Sequence, residues 1–192
     1  MLLKPKWFLS IVIILLLISG CQSLPSKSDS CRQFKDSPGT SFQFNGKMAV
    51  SDGAEGGSGR LTWQQQSNFV ETLFKGPMSQ GSWLLTETES EAIMLVDNRE
   101  TYTANKAEQL VSDFIGWSVP WQALKSWIKG RPLQSNRAEV QFAANGKTIY
   151  EQGWQINYDQ YRSYPDACLP HSITASKDSY RIKLIISSWQ WL

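Results

Sequence analysis

Histidine is nearly absent. The 192-residue chain holds one, His171, beside Pro170 in what reads as a loop leading into the last strand. A lone histidine next to a proline reads as a surface residue, not a base. No HExxH, CxxC or G-x-S-x-G pattern occurs, so zinc hydrolysis, dithiol redox chemistry and a nucleophile elbow lose their usual signatures. The Gly-rich stretch Asp52 to Gly59 has no Lys-Ser/Thr after it and no helical pattern, so it reads as a turn and not a phosphate loop. Asp97-Asn98-Arg99-Glu100 lacks the spacing of a calcium loop. The other carboxylates are scattered along polar faces, where solvated charges belong. Excess charge is lacking too, since 19 Lys and Arg stand against 17 Asp and Glu. With no basic stripe there is no footprint for nucleic acid. These absences describe a binding protein rather than an enzyme, with no metal and no cofactor.

Long apolar runs are also missing. The longest, Trp7 to Ile18, is too short to span a bilayer, which takes roughly twenty residues. It follows Lys4 and Lys6 and fits the h-region of a secretory signal peptide over residues 1–20. Its end, Ile18-Ser19-Gly20-Cys21, resembles a bacterial lipobox, in which the cysteine is lipidated and becomes the mature N-terminus. That resemblance implies a covalent lipid on Cys21. Gln22 follows in place of the aspartate that retains such proteins in the inner membrane, which points to the inner leaflet of the outer membrane with the domain in the periplasm. Lys4 and Lys6 leave with the signal, so the remaining basic residues equal the acidic ones. Residues 21–40, rich in Ser, Lys, Asp and Pro, read as the lipidated end and a tether, with a short helix possible within Ser30 to Ser37. Cys31 and Cys168 remain, and a periplasmic address permits a disulfide without requiring one.

What is present, over residues 41–192, is alternation. Phe42, Phe44, Met48 and Val50 share one parity against Gln43, Asn45 and Lys47, the mark of a strand with one dry face. The same period runs through Arg60 to Gln65, Asn68 to Lys75, Ser82 to Glu87, a hairpin turning at Asn98-Arg99, and Val140 to Phe142. Asn145-Gly146 is a strong hairpin signal. Thr148 to Tyr158 reads as a strand pair or one long bent strand, Pro165 and Pro170 bound a loop, and Tyr180 to Ile186 alternates most clearly. Between the two sets the period changes. Asn105 with Glu108 fits a capping box, and Ala107, Leu110, Val111, Phe114 and Ile115 form an apolar helical stripe ending at Gly116. Pro120 opens a second helix, with Trp121, Leu124 and Ile128 on one side and Gly130 after them. About ten to eleven single-faced antiparallel strands with only two short helices imply a mainly β fold. Such a sheet must be a barrel around a cavity, or a curved sheet with a helical lid over an apolar hollow.

One residue breaks the grammar. KGPMSQG, Lys75 to Gly81, is built of turn formers except for Met78, a large apolar side chain at the tip of a loop. Together FNGKMAV, GRLTWQQ, GPMSQG, LVDN followed by YTANKAEQL, GWSVPWQALKSWIKGRP, ANGK and YRIKL resemble the outer-membrane lipoprotein receptor family LolB. The resemblance runs from Ser41 to Trp189. It implies a half-open antiparallel β-barrel with a helical lid around an apolar cavity. It further implies a receptor that takes lipoproteins from the soluble periplasmic carrier LolA and releases them into the outer membrane. The implied partners are LolA, the acyl chains of client lipoproteins and outer-membrane phospholipid, met by a monomer. In that family the tip of this loop carries an apolar residue, usually leucine after proline, that acts in membrane delivery; here the pair is Pro77-Met78. The sheet's dry parity nominates Met48, Val50, Leu61, Trp63, Val70, Phe74, Trp83, Leu85, Leu184 and Ile186 as cavity lining. The lid candidates are Leu110, Val111, Phe114, Trp117, Leu124 and Ile128. The competing class is a structural or scaffold lipoprotein with a filled core and no acyl-chain transfer.

Overall fold

The computed structural model describes residues 41–79, 81–143, 146–164 and 167–192. Cys21, the tether, Cys31 and the turn positions Asn145 and Pro165 lie outside the described residues. Among the described residues eleven strands form one antiparallel sheet. The first six are β1 (Phe42–Ser51), β2 (Gly56–Gln66), β3 (Phe69–Lys75), β4 (Ser82–Glu87), β5 (Ala92–Val96) and β6 (Glu100–Ala104). Helices α1 (Ala107–Ile115) and α2 (Trp121–Trp127) follow. The last five strands are β7 (Glu139–Ala143), β8 (Gly146–Glu151), β9 (Trp154–Tyr164), β10 (Ala167–Lys177) and β11 (Tyr180–Trp191). The order across the sheet is β6-β5-β4-β3-β2-β1-β11-β10-β9-β8-β7. Two meanders are thus sewn together where the first strand meets the last, and β6 and β7 remain as unjoined edges. This is a half-open barrel. The helices leave from one edge and return at the other, which lays them over the concave, dry face.

The alternation places side chains as expected. Phe42, Phe44, Leu61, Trp63, Val70, Trp83, Leu85, Leu184 and Ile186 are buried in one cluster, with Met48, Val50 and Phe74 half-buried against it. The register of β4 is therefore the one that turns Trp83 inward. On β11 the inward parity runs Ile182, Leu184, Ile186 and then changes, because Asn45 pairs with Ser188 and Gly46 with Ile186. The bulge at Ser187 shifts the parity by one. Trp189 and Trp191 consequently come inward, and Trp189 packs on Phe42 and Phe44 with ring centroids 5.4 and 5.2 Å apart.

Several local expectations change. The strand after the Gly-rich turn begins at Gly56, so only Asp52 to Glu55 make the turn, with the Asp52 carboxylate accepting from the Ala54 and Glu55 amides. Helix α1 is capped at Lys106 without a side-chain hydrogen bond, so Asn105 and Glu108 do not form a capping box. Gly116 ends it in the left-handed region as expected, at φ 82°. Thr148 to Tyr158 is a strand pair turning at Gln152-Gly153, where both residues have positive φ. Pro170 is not in a loop. It sits within β10 on a stretch that pairs with β9, while pairing with β11 begins only at Ser172. A proline is tolerated there because the β11 side asks for no ladder bond from it. His171 is likewise a strand residue, half-buried, whose Nδ1–H donates to the Ile186 carbonyl at 2.5 Å. Its imidazole closes the ladder where the backbone does not.

Candidate functional site

Two features of the fold point to function: a helical cover on an apolar face, and an apolar loop tip facing water. The cover comes first. Leu110 and Val111 of α1 and Leu124 of α2 are buried, as is Ile128 just beyond it. Trp117, between the helices, is half-buried against the rings of Tyr180 and Trp154, at 4.9 and 6.4 Å. Phe114 is 46% exposed and meets Trp83 in a T-shaped contact at 6.4 Å, so it marks the lid's rim and not its underside. The lid lies directly on the sheet: Trp121 meets Trp63 at 4.9 Å and Trp127 meets Trp154 at 5.9 Å. In this structure these rings occupy the centre of the space between lid and sheet, while clefts of about 450 and 300 Å³ remain at its margins, the first lined by Val70, Glu87, Glu108, Gln122 and Lys125 and the second by Pro120, Trp154 and Tyr180. A cleft of about 630 Å³ lies elsewhere, on a polar surface that includes Arg137, Glu139, Glu151 and Lys177.

The two helices are held differently. Buried Glu87, at the end of β4, accepts from Trp121 Nε1 at 2.9 Å, Gln122 Nε2 at 3.0 Å and Lys125 Nζ at 2.8 Å. Glu151, at the end of β8 and 3% exposed, accepts from Trp127 Nε1 at 2.7 Å and from the backbone amides of Leu133 and Gln134 at 2.9 and 2.7 Å. Tyr158 Oη donates to the Trp127 carbonyl at 2.9 Å. Helix α2 is thus pinned to both halves of the sheet by charge-assisted hydrogen bonds. Helix α1 is not: among the described residues none of its side chains hydrogen-bonds to the sheet, and its attachment is apolar. These glutamates depart from the reading of carboxylates as solvated surface charge. Glu87 was detectable, because it shares its parity with Trp83 and Leu85. Glu151 has no such signal, since its donors come from a separate segment.

The loop between β3 and β4 is closed at its base. The Gly76 amide donates to the Gly81 carbonyl at 2.8 Å, and the Ser82 amide donates to the Asp97 carboxylate at 2.6 Å. Pro77 and Met78 lie in a short 3-10 turn in which Met78 is left-handed, at φ 51°. A non-glycine residue at positive φ carries strain of order 1 kcal/mol or more. The Met78 side chain is 94% exposed. The alternative, a methionine folded back onto the core, is excluded by that exposure.

Residues 40–189 match the family described as outer membrane lipoprotein LolB. The chain belongs to the LolB family. The outer-membrane lipoprotein LolB of Xylella fastidiosa is 33% identical over 156 residues, spanning 79% of this chain and 72% of its own. That of Pseudomonas syringae is 27% identical over 189 residues and 92% of each chain. Among solved structures, a LolA superfamily protein from Nitrosomonas europaea has a TM-score of 0.50 at 11% identity, covering 86% of this chain and 90% of that one. At that identity the likeness concerns the fold alone. In this LolB-family chain the lid and the exposed Met78 sit on a fold similar to that of the Nitrosomonas europaea protein. Cys168 is buried and disulfide-bonded, and the pairing considered for it, with Cys31, falls on a residue outside those described.

Proposed function

We propose that this chain is a receptor anchored by lipid at Cys21 to the inner leaflet of the outer membrane, with its domain in the periplasm. It accepts lipoproteins from the carrier LolA and inserts them into that leaflet. Family membership supports the lipoprotein role. The observation that carries the delivery step is Met78, an apolar side chain held almost wholly in water on a braced, strained loop. A flexible apolar side chain presented to water by a loop closed at its base is suited to enter a lipid surface. The acyl chain would lie between lid and sheet, on Leu61, Trp63, Leu85, Leu184 and Ile186. Burying a methylene there is worth about 0.8 kcal/mol, so a sixteen-carbon chain gains on the order of 10 kcal/mol before costs. That sum forbids a route through water and requires handover from mouth to mouth. The lid has to move, since its own side chains occupy the place. The chain works as a monomer, without catalysis or nucleic acid.

A second reading is favoured by the filled interior: a scaffold lipoprotein that never takes an acyl chain. A transfer assay separates the two. Segment Cys31–Leu192, a compact unit by itself, is mixed with carrier loaded with a labelled lipoprotein, and liposomes are then added. The receptor reading expects uptake and delivery by wild type, and uptake with delivery slowed roughly ten-fold or more by Met78→Glu, since a charge is expensive in the bilayer. No uptake from a competent carrier would leave the scaffold reading in its place.

A further inference from the structure

The outer face of the sheet beneath Met78 carries a row of cations. Lys47 of β1 is paired directly with Arg60 of β2, and Arg60 directly with Lys75 of β3. All three are exposed and lie on the parity opposite the core. Side chains paired this way start from Cβ atoms about 5 Å apart, and like charges directly opposite one another are destabilising. No carboxylate stands directly opposite any of the three. The row continues to Ile185 on β11 and to Ser82 on β4, whose amide and hydroxyl donate to the Asp97 carboxylate at the row's end. The neighbouring same-face rows are Asn45, Thr62 and Leu73 on one side, and Ala49 with Ser58 on the other. No carboxylate occupies these positions. Among the described residues none of the three cations has an ion-pair partner; Lys125 and Glu87 form the ion pair that is seen, and it lies under the lid. The same three side chains, with Gly76, Pro77 and Met78, line one cleft of about 380 Å³.

We propose that Lys47, Arg60 and Lys75 form a binding site for the phosphate of an anionic phospholipid headgroup, engaged when Met78 enters the bilayer. The proposal rests on the reading that Met78 meets a lipid surface, and adds the headgroup chemistry that the surface must supply. Two things select a lipid over an acidic protein. The cations share their cleft with the exposed apolar tip, and an apolar residue flanked by Lys and Arg is the composition of an interfacial anchor. Their stems are also flexible enough to let the charges settle at headgroup level while the tip goes deeper. An anion across the row would turn a local repulsion into shared attraction, so the cost of the register is offset only when the loop is docked. The site thereby orients the loop as well as attracting it.

The test uses segment Cys31–Leu192, so that the acyl anchor does not mask the contribution. Binding is measured by co-sedimentation with vesicles of phosphatidylcholine alone, or of equal parts phosphatidylcholine and phosphatidylglycerol. Three variants are compared with wild type: Lys47→Gln/Arg60→Gln/Lys75→Gln; Lys106→Gln/Arg131→Gln/Arg137→Gln, which removes the same charge elsewhere; and Met78→Glu. Each cation near an anionic surface is worth about a five-fold gain in partitioning, so the row triple should lose on the order of 100-fold on the mixed vesicles. The control triple should lose far less, and wild type should prefer the mixed vesicles. Thermal melting of the row triple should be unchanged or raised, because repulsion has been removed. The proposal is overturned if wild type binds both vesicles alike, if both triples lose equally, or if the row triple binds like wild type. Loss of carrier association with vesicle binding intact would assign the row to an acidic protein surface instead. Cargo uptake from loaded carrier, measured on the same proteins, tests the receptor reading separately: uptake can fail while the headgroup site stands.

Discussion

Tyr158 joins lid to sheet through a single hydroxyl, and its environment makes that joint sensitive to alkali. The side chain is buried, and its hydroxyl donates to the Trp127 carbonyl. Burial pushes the phenol well above the ordinary tyrosine value near 10, and the charges of Tyr161 and Glu151 push it further the same way. In the unfolded chain the phenol ionises at its ordinary value. The folded state therefore holds its proton to higher pH than the unfolded state does. Below about pH 10 both states are protonated and this stabilisation is complete. Above that the unfolded state loses the proton first, and stability drains by about 1.4 kcal/mol per pH unit until the folded phenol ionises as well. Melting curves taken between neutrality and strong alkali should be flat in this respect and then fall. Tyr158→Phe should be less stable at neutral pH by about 1 kcal/mol, for the lost hydrogen bond, and should show a shallower alkaline fall. An equal slope in both proteins would mean that other groups govern alkaline unfolding.

At the scale of elements, the two glutamates that pin α2 are not equivalent. Glu151 accepts from one indole and two backbone amides, and is almost wholly buried. Removing it leaves buried donors with nothing to meet. Glu87 serves an indole, an amide side chain and Lys125, whose side chain is 20% exposed and can turn to water. Glu151→Ala is therefore expected to cost about 3 kcal/mol or more, and Glu87→Ala about 1–2 kcal/mol, both read from urea denaturation. A reversed order would show that α2 is held from the β4 side. The same elements mark how far the sequence could be read. The parity of β3 and β11 was open to inspection, because a single-faced strand writes its burial in every second residue; that of β4 was not fixed at Trp83, since the turn before it could shift the register by one. Both helices were legible from their stripes and from the glycines after them. Three things were not. The bulge at Ser187 inserts one residue without a signature of its own, so the inward turn of Trp189 and Trp191 could not be followed. Pro170 was read as a loop marker, because the gap in pairing that admits it belongs to the sheet and not to the segment. The clamp at Glu151 joins residues on either side of β7, a contact that no local pattern records. Of the candidate site, Met78 stood out at once, since it is apolar among turn formers. The cationic row did not, because Lys47, Arg60 and Lys75 become neighbours only once three strands are in register.

For the whole molecule the proposed role raises the question of how a closely packed lid and sheet would take a long acyl chain. Opening by α2 breaks two buried carboxylate clusters and the Tyr158 hydrogen bond. Opening by α1 breaks none of these; it exposes chiefly Leu110 and Val111, at about 1.5–3 kcal/mol each. Lifting α1 thus costs on the order of 5 kcal/mol, while an acyl chain in its place returns on the order of 10 kcal/mol. The ligand wins that exchange, and the empty protein stays closed with only a small open fraction. Gly116, left-handed and with open space around it, sits where the chain leaves α1, and Trp117 holds the next position against Tyr180 and Trp154. The boundary between moving and fixed parts of the lid therefore falls at these two residues. Hydrogen exchange followed by mass spectrometry tests this division. In the empty protein, peptides covering Ala107–Ile115 should exchange faster than those covering Trp121–Trp127 by at least ten-fold, given the several kcal/mol that separate the two openings. On binding a long-chain lipoprotein from the carrier, α1 should lose protection while α2 and the central strands gain it, because only the first helix yields its place and the rest is held by the ligand. Equal protection of both helices, unchanged by cargo, would mean that the lid moves as one body or not at all, and the acyl chain would have to enter between the sheet edges β6 and β7.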